Sequence, residues 1–336
     1  MRRVCEGLHR PGAGALALGA AGVLALGLAG RAALRLRTPA SPYGSLTDLP
    51  DGARVHAIAR HGTADGATVV FENALVCAGT EWLHVIGQLA PDRSCLAYDR
   101  PGTGWSPGGP DPARPETYPD VLRELLAVLE LPPPYILVGH SVGGLLIRVF
   151  ARRYPELVAG LVFVDASHPD QFERSRIQRD GMPWIRQRLA GNAVRSAFGL
   201  DGLGLSVSET AALPAEAAAA TTAMFGRPGP WLGAYREARA VEGPWSEAAR
   251  GLTSLPGAPV AVVTAGDTVA RDPAHLVLQR ELAGLSDHSR HDVVDEASHE
   301  SLVMRPSHAA AVVAAIEWVE ESRVRTGTPA DRRTAP

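Results

Sequence analysis

Cysteine is scarce: the chain has three in 336 residues. Cys5, Cys77 and Cys95 have no metal-ligand spacing, so neither a metal site nor another cofactor is expected. Cys95 sits in an apolar run and reads as a small core residue, and a Cys77–Cys95 disulfide is left open. Excess charge of one sign is also missing. A formal net charge of −3 gives no reason to expect nucleic acid, an acidic substrate or an anionic surface as partner. Lysine is absent, so the basic side chains are arginine. Together with heavy use of Ala and Gly this reads as coding bias, and no function follows from it. Charged residues (21%) and hydrophobic residues (46%) are at ordinary globular levels.

Long apolar runs are missing too, with one exception. Arg2, Arg3 and Arg10 precede an uncharged stretch from Pro11 to Gly30, and Arg31, Arg35 and Arg37 follow it. Twenty such residues are enough to span a bilayer as a helix, although more than half of them are Gly or Ala. Residues 1–37 are therefore read as a single membrane-anchoring helix, with attachment through residues 11–30. A secretory signal peptide, and hence a secreted protein, is the alternative. Arginines flank both ends, so orientation is not fixed.

Residues 38–53 are rich in turn-formers and read as a linker. Beyond them, short apolar runs alternate with helical patterns. Strands are expected at 54–60, 67–72, 94–98, 135–138, 161–164, 260–264 and 291–294, and helices at 82–89, 118–131 and 142–153. This alternation implies an α/β fold with a mostly parallel sheet covered by helices on both faces. The rhythm breaks at 166–255, a stretch too long for a plain loop and read as a helical cap inserted over the ligand-binding end of the sheet. Its Trp184, Phe198, Phe225, Trp231 and Trp245 are expected to be packing anchors first and substrate contacts second. The core is then 54–165 plus 256–320, and 321–336 is expected to be a disordered tail.

Gly139-His140-Ser141-Val142-Gly143 matches G-x-S-x-G between a strand and a helix. Such a turn holds its serine in a strained conformation at a helix N-terminus, and its neighbours must be small. Ser141 is the candidate nucleophile; the competing reading is an ordinary helix cap. A serine hydroxyl needs a base that can return the proton. Of the eleven histidines, His299 alone follows the final strand at loop distance, with His275, His288, His291 and His308 as nearby competitors. For the acid, Asp165 at the end of the strand 161–164 is favoured over Asp267, and Asp272 comes after both. The oxyanion donors are expected to be the amides of Val142 and Leu75.

The blocks Val-Val-Phe-Glu-Asn (69–73), Tyr-Asp-Arg-Pro-Gly-Thr-Gly-Trp-Ser (98–106), Gly-His-Ser-Val-Gly-Gly (139–144) and Leu-Val-Phe-Val-Asp-Ala-Ser-His (161–168) resemble the α/β-hydrolase fold superfamily. The resemblance covers roughly residues 54–320. It implies an eight-stranded sheet, a cap and hydrolysis through an acyl-enzyme on Ser141, with His299 and an acid completing the set. Two features depart from the family pattern: Asn73-Ala74 replaces the usual His-Gly of the oxyanion loop, and the late acid is displaced. Asp99 and Arg100 are expected to hold the turn after their strand.

The leading expectation is a serine hydrolase for a carboxylic ester or related acyl compound of apolar character. An aspartate-nucleophile dehalogenase or epoxide hydrolase is set aside because serine occupies that position. An aminopeptidase, a carbon–carbon bond hydrolase and a cofactor-free haloperoxidase-like enzyme remain open. The alternatives from other classes are a non-catalytic small-ligand-binding protein on the same fold and a structural membrane protein.

Overall fold

The runs Tyr135–His140, Val158–Val164 and Val260–Ala265 carry almost nothing but apolar residues, and all three are buried along their full length. Only a strand covered on both faces suits such a run. A computed structural model describes residues 41–109, 111–200 and 207–326, together with Gly22, Leu26 and Gly27. In it these runs form the middle of an eight-stranded sheet. The strands are β1 (Ser45–Asp48), β2 (Arg54–Arg60), β3 (Thr68–Glu72), β4 (Cys95–Tyr98), β5 (Tyr135–His140), β6 (Val158–Val164), β7 (Val260–Ala265) and β8 (Ser289–Val294). Their order is β1-β2-β4-β3-β5-β6-β7-β8. From β4 through β8 every neighbouring pair is parallel, whereas β1–β2 and β2–β4 are antiparallel.

Helices cover both faces. On one side α1 (Thr117–Val128) and α2 (Gly143–Arg153) pack Leu122, Leu125, Ile147 and Phe150 against the sheet. On the other, the C-terminal helix contributes Ala309, Val312, Ile316 and Val319 beside Phe71 and Trp82. A fully buried large apolar side chain contributes about 1.5–3 kcal/mol, so these two layers hold the sheet. Between β6 and β7 lies the helical insertion, containing α3 (Arg176–Ala197), α4 (Ala215–Phe225) and α5 (Pro228–Ala240). After β7 come α6 (Gly266–Arg271) and α7 (Pro273–Ala283), and α8 (Pro306–Thr326) closes the chain.

Two boundaries differ from those the sequence suggested. The 38–53 linker contains β1, an edge strand paired antiparallel with β2. Its residues are largely exposed, so no apolar alternation marks it. The 321–336 tail is helical through Thr326, and within it Ser322 and Arg323 are buried. Arg323 bonds Glu320 one turn earlier in the helix, and Glu320 also pairs with Arg93 beside β4. Cys77 and Cys95 are both free. The anchor expected in residues 1–37 lies outside the described residues apart from Gly22, Leu26 and Gly27. Among the described residues no helix is long and apolar enough to cross a membrane.

Two buried arginines fasten the insertion to the core. Arg148 of α2 donates to Ala249 O (3.0 Å) and Leu252 O (2.6 Å) where the insertion returns to the sheet, and burial pulls its guanidinium down to about 10. Arg100, 0% exposed, follows β4. Its Nε and Nη2 form a fork on Glu237 of α5, both at 2.8 Å. Nη1 donates to Glu72 Oε1 (2.9 Å) and Asn73 O (2.7 Å), and Nη2 also reaches Ala74 O (3.2 Å). One planar cation thus joins the end of β3, the loop after it and the insertion, an arrangement a lysine point charge cannot reproduce. The turn after β4 is held instead by Asp99, which accepts from Gly79 N and Trp105 N.

Replacing Arg100 by Met would leave Glu72 and Glu237 buried without their cation, a loss of about 3–5 kcal/mol. Urea unfolding should show a correspondingly lower midpoint. Adding Glu237→Gln to Arg100→Met should recover part of it, because one uncompensated charge is then removed.

Candidate active site

Ser141 has φ +53°, the left-handed conformation of a tight strand-to-helix turn. Three glycines make that turn possible. A Cβ at Gly139 would lie 2.8 Å from the backbone of Gly143, one at Gly143 2.4 Å from Glu72 O, and one at Gly144 2.5 Å from Ala166 Cβ. The turn is tied to the end of β6: Ser141 N donates to Val164 O (3.1 Å), and Ser167 N donates to Ser141 O (2.8 Å). No side chain caps α2, so Ser141 is not serving as a helix cap.

His299 lies in the loop after β8, and its Nδ1–H donates to Asp165 Oδ2 at 2.6 Å. Asp165 sits just past β6 with φ +41° and is buried to 2% exposure. Its carboxylate accepts three further bonds, from Ala265 N (3.0 Å) and His275 Nε2 (2.9 Å) at Oδ1 and from Thr268 Oγ1 (2.8 Å) at Oδ2. Burial opposes its ionisation, but the hydrogen bonds from His275 and His299 outweigh that cost and hold the carboxyl far below the usual range. Burial likewise pushes His299 down, and the bond to Asp165 outweighs it, so the imidazole is raised above its ordinary value. Ser141, Asp165 and His299 line one cavity of about 420 Å³.

The other acid candidates point elsewhere. Asp267 is half exposed, with Arg271 4.0 Å away. Asp272 lines the cavity but is occupied as the N-cap of α7 and as acceptor for Ser175 Oγ (2.6 Å) of the insertion. The competing histidines are also engaged: His291 bonds Thr264, His308 bonds Ser301, and His288 stacks on Trp318.

Val142 and Leu75, the expected oxyanion donors, both line the cavity. Among the described residues neither amide donates to another group, whereas the neighbouring amide, Ala74 N, is taken by Glu81 Oε1 (2.9 Å). Asn73 does not line the cavity. Its Nδ2 donates to Tyr98 O and its Oδ1 accepts from Trp82 Nε1, so the residue in place of the family's histidine braces the loop.

Three side chains have roles that the reading of the sequence did not assign, although His275 stood among the competing histidines. His140 Nε2–H donates to the carbonyl of His299 (3.1 Å), its Nδ1 meets Glu81 Oε2 (3.1 Å), and its ring lies 4.6 Å from that of His299. Glu81 thus links the loop after β3 to the nucleophile turn, and His140 links that turn to the His299 loop. His275 reaches Asp165 from α7. His140 stands in the motif and His275 among the competing histidines, whereas Glu81 had no sequence signal. The insertion's lining is mainly aliphatic, with Ile177, Met182, Ile185, Leu189, Val207 and Val241, plus Phe172. None of its five aromatics singled out earlier lines the cavity: Phe225, Trp231 and Trp245 are buried packing residues, while Trp184 and Phe198 face outward.

Residues 67–202 match the family model for the alpha/beta hydrolase fold. A segment of 113 residues, 33% of this chain, is 33% identical to the "Putative carbamate hydrolase RutD" of Rhizobium rhizogenes and covers 42% of that protein. The chain spans less than half the length of the curated relatives it matches, from 14% to 47%. An esterase from Exiguobacterium antarcticum superposes with a TM-score of 0.61 at 14% identity, covering 82% of this chain and 99% of that one. An epoxide hydrolase from hot-environment metagenomes superposes with a TM-score of 0.63 at 20% identity, covering 82% and 97%. At such identities the likeness concerns the fold. By its sheet order and the family match over residues 67–202, the chain has the α/β-hydrolase fold.

Proposed function

We propose that this protein is a serine hydrolase that cleaves a carboxylic ester or related acyl compound through an acyl-enzyme on Ser141. The observation that carries this reading is the 2.6 Å bond between His299 and buried Asp165 in the cavity that Ser141 lines. Asp165 fixes the His299 tautomer with hydrogen on Nδ1, leaving Nε2 to take the serine proton. Ser141 Oγ attacks the acyl carbon, and the negative oxygen is received by the amides of Val142 and Leu75. Protonated His299 returns its proton to the leaving group, which departs. Water then attacks the acyl-enzyme with His299 again as base, releasing acid and free serine.

The aliphatic lining favours an apolar acyl or leaving group, and the volume suits a small molecule. The relatives named as carbamate hydrolases extend the candidate class to carbamates, whose carbonyl offers the same point of attack. Epoxide opening in this fold relies on a carboxylate nucleophile, and a serine stands at that position here. The insertion, residues 166–255, serves as the cap of this cavity.

Turnover of p-nitrophenyl esters of graded chain length, and of matching carbamates, tests the reading. Ser141→Ala and Asp165→Asn should each reduce kcat by roughly ten-thousandfold, and Asp267→Asn should leave it near the wild-type value. Activity that survives Ser141→Ala would end the proposal. The pH profile supplies a second check. His299 works as a base only when neutral, and its bond to Asp165 raises its protonation range. The acid limb of kcat/KM should therefore lie above pH ~6.5, the ordinary histidine value.

A further inference from the structure

Asp165 is bonded by two histidines, and the hydrolytic scheme uses only one of them. His275, 4% exposed, donates from Nε2 to Oδ1, the carboxylate oxygen that His299 does not touch. A carboxylate can only accept, so this nitrogen carries hydrogen. We propose that His275 is a positioning residue: it sets the plane of the Asp165 carboxylate so that Oδ2 meets His299, and it draws off part of the negative charge that His299 faces. This inference rests on Ser141, His299 and Asp165 being the reacting set.

The backbone of Asp165 is tied by its amide to Val263 O (2.7 Å), but the residue lies past the strand end in a left-handed conformation, so the plane of its carboxylate is set by that group's own partners. Ala265 N and Thr268 Oγ1 each restrain one oxygen. His275 adds a second donor on Oδ1, opposite the pull of His299 on Oδ2, and all the carboxylate's acceptor directions are then filled. The ring itself is held by its helix. His275 N donates to Asp272 O, and Asp272, the cap of α7, accepts from Ser175 at the start of α3. Seating of the insertion is therefore connected to the carboxylate through Asp272 and His275.

The charged and titratable surroundings are defined. His299 faces Asp165, Glu81 and Glu300 and lies against the ring of His140. His275 faces Asp165, with Asp272 and Arg271 close by in the same cavity lining and His291 within electrostatic range. Among these groups His275 is the one that shares a carboxylate with His299, so its removal should act on His299 through Asp165.

The test is to follow the side-chain nitrogen resonances of His299 by NMR across pH in the full chain, for wild type, His275→Ala, His275→Phe and His275→Gln. Without the second donor, Asp165 keeps more charge and holds the imidazolium more strongly. In the Ala and Phe variants the His299 midpoint should move to higher pH, and the acid limb of kcat/KM should move with it. Their kcat should fall by about 10–100-fold at unchanged KM, the usual scale for a residue supporting a functional imidazole. Gln keeps a donor, so both quantities should return toward wild type. A folded Ala or Phe variant whose His299 midpoint equals that of wild type would overturn the proposal, as would a Gln variant no better than Phe. The Phe variant fills the space of the ring should Ala fail to fold. The NMR midpoints need no turnover. Absence of Ser141-dependent activity in wild type would thus refute the hydrolase reading separately, while the midpoints still decide whether His275 acts on His299.

Discussion

A guanidinium with no access to water has to be met by charge and hydrogen bonds on every side, and Arg100 is met in that way. Glu72, Glu237 and the carbonyls of Asn73 and Ala74 take all of its donor positions. Glu72 closes β3, Asn73 and Ala74 begin the loop that carries the proposed Leu75 donor, and Glu237 belongs to the insertion. Their relative placement thus follows from one planar cation. The cost of burying it is high and is offset only while both carboxylates stay in reach, so the arrangement tolerates little displacement. Geometry at the candidate site thus depends on a group that does not line the cavity.

A second layer of constraint is conformational. Ser141 and Asp165 both occupy left-handed backbone, each costing of order 1–3 kcal/mol, and they stand at the ends of adjacent strands β5 and β6. Neighbouring groups hold them there. The glycines at 139, 143 and 144 remove the atoms that would collide, and the bonds between Ser141 and the β6 end lock the two turns together. The His140–Glu81 pair then carries the same fixation to the His299 loop and to Ala74. The candidate nucleophile, base and acid come from three strand ends, joined by these polar links.

The strands plainest in the sequence are β5, β6 and β7, whose short uninterrupted apolar runs suit burial on both faces, while β2, β3, β4 and β8 were expected from shorter or less apolar runs. The edge strand β1 was not legible. It is short and exposed, and it exists because β2 offers it an unpaired ladder. The helical end at 321–326 was hidden for a similar reason, since its polar composition suits solvent until Glu320 finds Arg93 and Arg323. Within the site, Ser141 was legible from its flanking glycines and His299 from its position after the last strand. The choice between Asp165 and Asp267 was not, because both follow strands and only the direction of the side chain separates them.

The sequence by itself determined the alternation of strand and helix, the tight turn around Ser141 and the long helical insertion, since these depend on local spacing, residue size and periodicity. Tertiary structure alone decided which aspartate meets His299, that His275 shares its carboxylate, and that mainly aliphatic side chains of the insertion face the cavity. Arg100 and Glu237 are 137 positions apart, and His275 and Asp165 are 110 apart. No local pattern encodes pairs so distant, because the chain brings them together only when the sheet and the insertion have packed.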